Sequence, residues 1–183
     1  MKVLNIHGYK GSAENSTCIT LKNIGHEVIS PQIDYDAENP YEILNYLRKI
    51  FLENKPDYIV GTSLGGFFSL LLSLEFRVEK YESHIKKYLS HNIPTVLISP
   101  CLCPFITLPE LDYKGDIKIF MQLFEKISYD NYRYVFAVIG GQDEVINYHG
   151  FTENLIKNCY VVPDGKHSGA TLNLDYWLKR LIK

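Results

Sequence analysis

The residues best placed to do chemistry are Gly61-Thr62-Ser63-Leu64-Gly65. The apolar run Tyr58-Ile59-Val60 leads into them, and Phe67-Phe68-Ser69-Leu70-Leu71-Leu72 leads away. Ser63 therefore stands where a buried strand turns sharply into a buried helix. Side chains two residues to either side would collide in so tight a turn, and glycine at 61 and 65 removes the collision. The hydroxyl is held clear of the sheet edge, above a helix N-terminus. A serine hydroxyl is a poor nucleophile at neutral pH. It needs a base within hydrogen-bond reach, and the base needs a carboxylate to orient it. For a serine on such a turn the chain order is serine, acid, histidine.

Both partners follow in that order. Val135-Phe136-Ala137-Val138-Ile139 runs into Gly140-Gly141-Gln142-Asp143-Glu144, a strand followed by a glycine-rich loop that carries an acid. Tyr160-Val161-Val162 runs into Pro163-Asp164-Gly165-Lys166-His167-Ser168-Gly169, a strand followed by a loop that carries a histidine. Loops just beyond strand carboxyl ends are where open α/β sheets place their ligands. Asp143 is the acid favoured by position. Glu144 is its rival by adjacency, and Asp164 a weaker one because it shares a loop with His167. Among other histidines, His26 opens a strand, His84 and His91 lie on a charged helical stretch, and His149 comes too early for the last loop.

A developing oxyanion needs preorganised N–H donors. The Leu64 N–H, directly after the nucleophile, is one. The loop after the first strand, Asn5-Ile6-His7-Gly8-Tyr9-Lys10-Gly11, supplies the other through the Tyr9 N–H. His7 reads as a structural tie for that loop through its ring nitrogens. Cys101-Leu102-Cys103 lacks metal-site spacing and has no second ligand pair nearby, so no metal is assigned.

These groups require a scaffold. Strands are expected at Lys2–Ile6, His26–Ile29, Asp57–Gly61, Thr95–Ser99, Tyr134–Ile139 and Cys159–Val162. Their interiors are almost continuously apolar, as in parallel strands buried on both faces. Asn39-Pro40-Tyr41-Glu42 combines an N-cap, a Pro at N1 and a Glu at N3, a helix start. Ile43, Leu44, Leu47, Ile50 and Phe51 then repeat at helical spacing. Phe120, Leu123, Phe124 and Ile127 do the same, as do Leu174, Trp177, Leu178, Leu181 and Ile182. Ser63–Leu74 is apolar nearly all round. The alternation predicts an α/β fold, an open and mostly parallel sheet with helices on both faces. Pro100–Gly115 is punctuated by Pro100, Pro104, Pro109 and Gly115, and is expected to be irregular and to run over the surface near the carboxyl edge.

The 183 residues fit one domain, 1–183. A composition 46% hydrophobic and 22% charged is that of a globular protein. The net charge of -2 makes no electrostatic case for nucleic acid. No apolar stretch approaches the ~20 residues of a membrane span. Met1–Ile6 is too short and too soon polar for a signal peptide. With no secretory signal, Cys18, Cys101, Cys103 and Cys159 are expected to be reduced thiols in a cytoplasmic setting.

The blocks His7-Gly8-Tyr9 with Gly11-Ser12, Gly61-Thr62-Ser63-Leu64-Gly65-Gly66, Gly141-Gln142-Asp143-Glu144-Val145 and Gly165-Lys166-His167-Ser168 resemble an α/β-hydrolase. In particular they are similar to the small YqiA-type esterases, which lack a cap domain. The blocks reach from the first strand to the last loop. The resemblance implies a triad of Ser63, Asp143 and His167, with oxyanion donors at Tyr9 and Leu64. The segment from Ser99 to Tyr134 departs from the family pattern, with Pro100-Cys101-Leu102-Cys103-Pro104 after the strand.

The expected activity is hydrolysis of a carboxylic ester or thioester of a small to medium acyl group through an acyl-enzyme. No metal or organic cofactor is required. Leu102 and Phe105, with Ile106 and Leu108, are the apolar residues expected to cover the acyl group. The alternatives are a non-catalytic binding protein that has kept the fold, or an acyltransferase using the same triad.

Overall fold

The computed structural model describes residues 1–78, 93–127, 132–146 and 149–183. Among them are six strands: β1 (Lys2–Ile6), β2 (Glu27–Ile29), β3 (Tyr58–Thr62), β4 (Thr95–Ile98), β5 (Val135–Gly140) and β6 (Asn158–Val162). They form one all-parallel sheet in the order β2-β1-β3-β4-β5-β6. The expected strands are all present, with ends displaced by a residue or so. The helices are α1 (Ser16–Asn23), α2 (Pro40–Asn54), α3 (Leu64–Val78), α4 (Pro104–Glu110), α5 (Ile117–Phe124), α6 (His149–Leu155) and α7 (Leu174–Leu181).

Alternate strand residues feed two separate cores, because successive side chains point to opposite sheet faces. Leu4, Ile6, Ile59, Leu97 and Ala137 pack on one face against α2, α3 and α5, through Ile43, Leu47, Phe67, Phe68 and Phe120. Val3, Val60, Val96, Ile98 and Val138 pack on the other against α1 and α7, through Leu21, Leu174, Leu178 and Leu181. Helix α2 begins as its sequence requires. The Asn39 side chain accepts from the Tyr41 N–H at 2.9 Å, Glu42 accepts from the Asn39 N–H at 3.3 Å, and Pro40 takes the first turn.

Two features position a site. After β1 the chain moves outward to β2 and then returns past β1 to β3. The loops leaving β1 and β3 therefore part at a switch point, where open α/β sheets bind ligands. The second feature corrects an expectation. Pro100–Gly115 is not an irregular surface run. Cys101, Leu102 and Cys103 are buried, and Pro104 opens α4. The fixed φ of Pro104 suits a first helical turn, and tertiary burial of Thr107 and Leu108 holds the short helix. The prolines that read as punctuation start and shape this helix. Among the described residues no separate cap domain is built on the sheet.

Candidate active site

Ser63 lies between β3 and α3 with φ 53°, a left-handed conformation costly for any side chain. The surroundings over-determine it. Its N–H donates to the Ile98 carbonyl at 2.9 Å, and its carbonyl accepts from the N–H groups of Gly66 and Cys101, both at 2.9 Å. A Cβ at Gly65 would run into the carbonyl oxygens of Ile6 and His7, so the elbow lies directly against the loop leaving β1. A Cβ at Gly8 would stand 2.8 Å from the Ser63 Cβ and 3.4 Å from its Oγ. Gly8 thus lets the β1 loop reach the serine.

That loop is tied from behind. His7 Nδ1 bonds the Gly8 carbonyl at 2.8 Å, and His7 Nε2 accepts from the Ile33 N–H at 3.0 Å. The two bonds together require the Nδ1–H tautomer. Burial, partly offset by the Gly8 carbonyl, lowers the His7 pKa and favours this neutral ring. The Tyr35 hydroxyl donates to the His7 carbonyl at 2.6 Å. Tyr9 follows, with its hydroxyl donating to Asp36 at 2.9 Å. Burial and the Asp36 carboxylate push the phenol up to about 12, so it remains a donor.

Asp143 and His167 meet because β5 and β6 stay in register beyond their ends. Gly140 pairs with Val162, the Gly141 N–H donates to the Val162 carbonyl, and the Gln142 N–H donates to the Gly165 carbonyl, both bonds 2.8 Å. His167 Nδ1 then lies 3.0 Å from Asp143 Oδ2. The Asp143 side chain is 1% exposed, and the N–H groups of Val145 and Ile146 donate to its Oδ1 at 3.0 and 2.8 Å. Burial alone would raise its pKa. Hydrogen bonds from His149, His167 and the Ile146 N–H outweigh that and hold the carboxyl well below the usual carboxylate range.

His149 comes too early in the chain for the last loop, yet its Nε2 lies 2.8 Å from the same Oδ2. No sequence pattern marks it, because α6 brings it back over the acid only in three dimensions. The rival acids stand elsewhere. Glu144 is exposed and accepts from the His167 backbone N–H at 3.2 Å rather than from the ring. Asp164 is exposed in its loop. His26 lies at the amino end of β2, while His84 and His91 fall outside the described residues.

Ser63 and the Asp143–His167 pair stand at the same sheet edge without a direct bond. The His167 ring bonds Asp143 through Nδ1, and no hydrogen bond links its other nitrogen to Ser63 Oγ. Cys101 touches the first and feels the charge of the second. Its N–H holds the Ser63 carbonyl, while burial, aided by the Asp143 charge, pushes its thiol up to about 12. Such a thiol is inert as a nucleophile at neutral pH. Leu102 is buried in the core at 2% exposure. Phe105 is half-buried, with its ring edge-on to Phe124 at 5.1 Å.

No family model matches the chain, and no curated protein matches it in sequence. Solved structures do match in shape. Est1E from Butyrivibrio proteoclasticus superposes with a TM-score of 0.66 at 19% identity, over 99% of this chain and 88% of its own. The alpha/beta hydrolase domain-containing protein 10 from mouse gives a TM-score of 0.68 at 13% identity, over 99% and 89%. The thioesterase domain from the curacin biosynthetic pathway gives 0.58 at 12%, over 100% and 91%. The parallel sheet, the strained serine at its switch point and these full-length likenesses agree: the chain has the α/β-hydrolase fold.

Proposed function

We propose that the chain is a serine hydrolase of carboxylic esters or thioesters, with Ser63 as nucleophile, His167 as base and Asp143 as the orienting acid. The observation that carries this reading is the Asp143–His167 bond at 3.0 Å on the same sheet edge as a serine held at φ 53°. The ionised Oδ2 can only accept, so His167 carries its proton on Nδ1. That leaves the Nε2 lone pair to take the Ser63 proton as Oγ attacks the acyl carbon. The Tyr9 and Leu64 N–H groups receive the oxyanion. His167 passes the proton to the leaving alcohol or thiol, and water repeats the cycle on the acyl-enzyme. Closure of the site brings Nε2 onto Oγ, since hydrogen bonds of this kind tighten in the substrate complex.

Phe105 forms the acyl-side wall, with buried Leu102 behind it. The substrate is a small to medium acyl ester, and the setting is cytoplasmic, consistent with four unpaired cysteines. Among the described residues no helix is long and apolar enough to cross a membrane. A binder or an acyltransferase would share the scaffold. A buried, fully hydrogen-bonded carboxylate aimed at an imidazole has a use in proton transfer that binding does not need.

The test is a fluorophosphonate probe with p-nitrophenyl ester turnover. One adduct on Ser63, and loss of both adduct and turnover in Ser63→Ala, is the expected result. An adduct on another serine, or full activity in Ser63→Ala, refutes the assignment.

A further inference from the structure

Asp143 Oδ2 carries two imidazoles: His167 Nδ1 at 3.0 Å and His149 Nε2 at 2.8 Å. Proton transfer from Ser63 needs only the first. An ionised carboxylate oxygen only accepts, so both rings must donate, and they hold opposite tautomers, Nδ1–H in His167 and Nε2–H in His149. The His149 side chain is 12% exposed, and its Nδ1 has no hydrogen-bond partner among the described residues. An unpaired buried lone pair is easier to tolerate than an unpaired buried N–H, which favours the tautomer that leaves Nδ1 without a proton. With Asp143 at 1% exposure, water has little access to Oδ2 to replace the second donor.

We propose that His149 is a positioning residue of the hydrolytic site, whose Nε2–H holds Asp143 Oδ2 against His167 and divides the carboxylate charge between two imidazoles. This rests on the reading of Ser63, Asp143 and His167 as nucleophile, acid and base. Two backbone N–H groups anchor Oδ1, and His149 stops Oδ2 from swinging about that anchor.

Among the described residues, the charged and titratable groups around His149 come from several elements. They are Asp143 after β5 and Glu153 one turn along α6, itself facing Cys159 of β6, and, about the Asp143 carboxylate that His149 meets, Glu144, His167 after β6 and Cys101 after β4. Glu144 and Glu153 are common to every variant below, so the comparison isolates the Nε2–H.

The experiment measures kcat and KM against pH for the full chain on a p-nitrophenyl ester, in wild type, His149→Leu and His149→Gln. Glutamine keeps an N–H at similar reach without a titrating ring, while leucine has none. His149→Leu is expected to lose about tenfold in kcat, since misplaced catalytic groups are costly, with KM little changed. His149→Gln should recover most of the kcat. Nitrogen-15 spectra of the wild-type imidazoles should show Nε2–H in His149 and Nδ1–H in His167, a readout independent of turnover and of the stability of any variant. Active wild type with His149→Leu equal to it in kcat, or a His149 ring protonated on Nδ1 alone, overturns the inference while leaving the hydrolase reading intact. Wild type with neither turnover nor Ser63 labelling removes the hydrolase reading itself.

Discussion

The carboxyl ends of β3 and of β5–β6 hold the two halves of the site by different means. At β3 the backbone does the positioning. Ser63 is fixed by three main-chain hydrogen bonds and by glycines whose missing side chains let Ile6, His7 and Gly8 close in. At β5–β6 side chains do it. The acid is held by four donors, two of them imidazoles from different elements. The Ser63 side is thus strained and held by backbone, whereas the Asp143 side is an electrostatic cluster. Damage to the first should appear as lost fold, and damage to the second as lost chemistry.

The largest expected effect tests the electrostatic half. Asp143→Asn should cut kcat by ~10³ or more, because an amide lets His167 adopt the wrong tautomer. Stability should respond to pH as well. The Asp143 carboxyl is held below its unfolded value, so its contribution is complete above about pH 4 and fades as pH falls further. The melting-temperature gap between wild type and Asp143→Asn should therefore be full at pH 6 and shrink toward pH 3. A gap that grows on acidification would reverse the sign of the shift and undo the cluster argument.

Next in size is Gly65→Ala, which tests the backbone half. Its Cβ would meet two main-chain carbonyls that cannot rotate away. Overpacking of this kind costs ~1–3 kcal/mol, to be read by denaturant melts. Unchanged stability would mean that the β1 loop is looser than the contacts imply.

A smaller effect of opposite sign should follow from Ser63→Gly. It relieves the left-handed strain at φ 53° and should gain up to ~1 kcal/mol while abolishing turnover. A loss of stability would show that the serine side chain, and not the turn alone, supports the elbow.

The smallest effect separates the two acids. Glu144→Gln should lower kcat only a few-fold, since that carboxylate is exposed and meets a backbone N–H. A loss comparable to that of Asp143→Asn would move the orienting role to Glu144.

Much of this arrangement was legible beforehand where its causes are local. The six strands announce themselves as apolar runs, and α2 through Asn39, Pro40 and Glu42. The elbow shows in Gly61 and Gly65 around Ser63, because a tight turn restricts residue types within a few positions. His7 as a loop tie was also legible, although the donor to its Nε2, the Ile33 N–H, was not. Pro100–Gly115 misled because its prolines suggest breakage, while burial against the core turns Pro104–Glu110 into a helix. The order of Ser63, Asp143 and His167 was readable in the chain. The bond between the last two depends on β5 and β6 remaining paired past Gly140 and Val162. His149 belongs wholly to the tertiary level. Six residues beyond Asp143 and on another element, it reaches Oδ2 only because the chain folds back. The strands and the strained serine follow from short-range sterics and periodicity, and the candidates for acid and base from their order and their place after strand ends. Only the tertiary structure decided which side chains share one buried carboxylate oxygen, because hydrogen bonds act over about 3 Å and that distance is set by the packing of the loops.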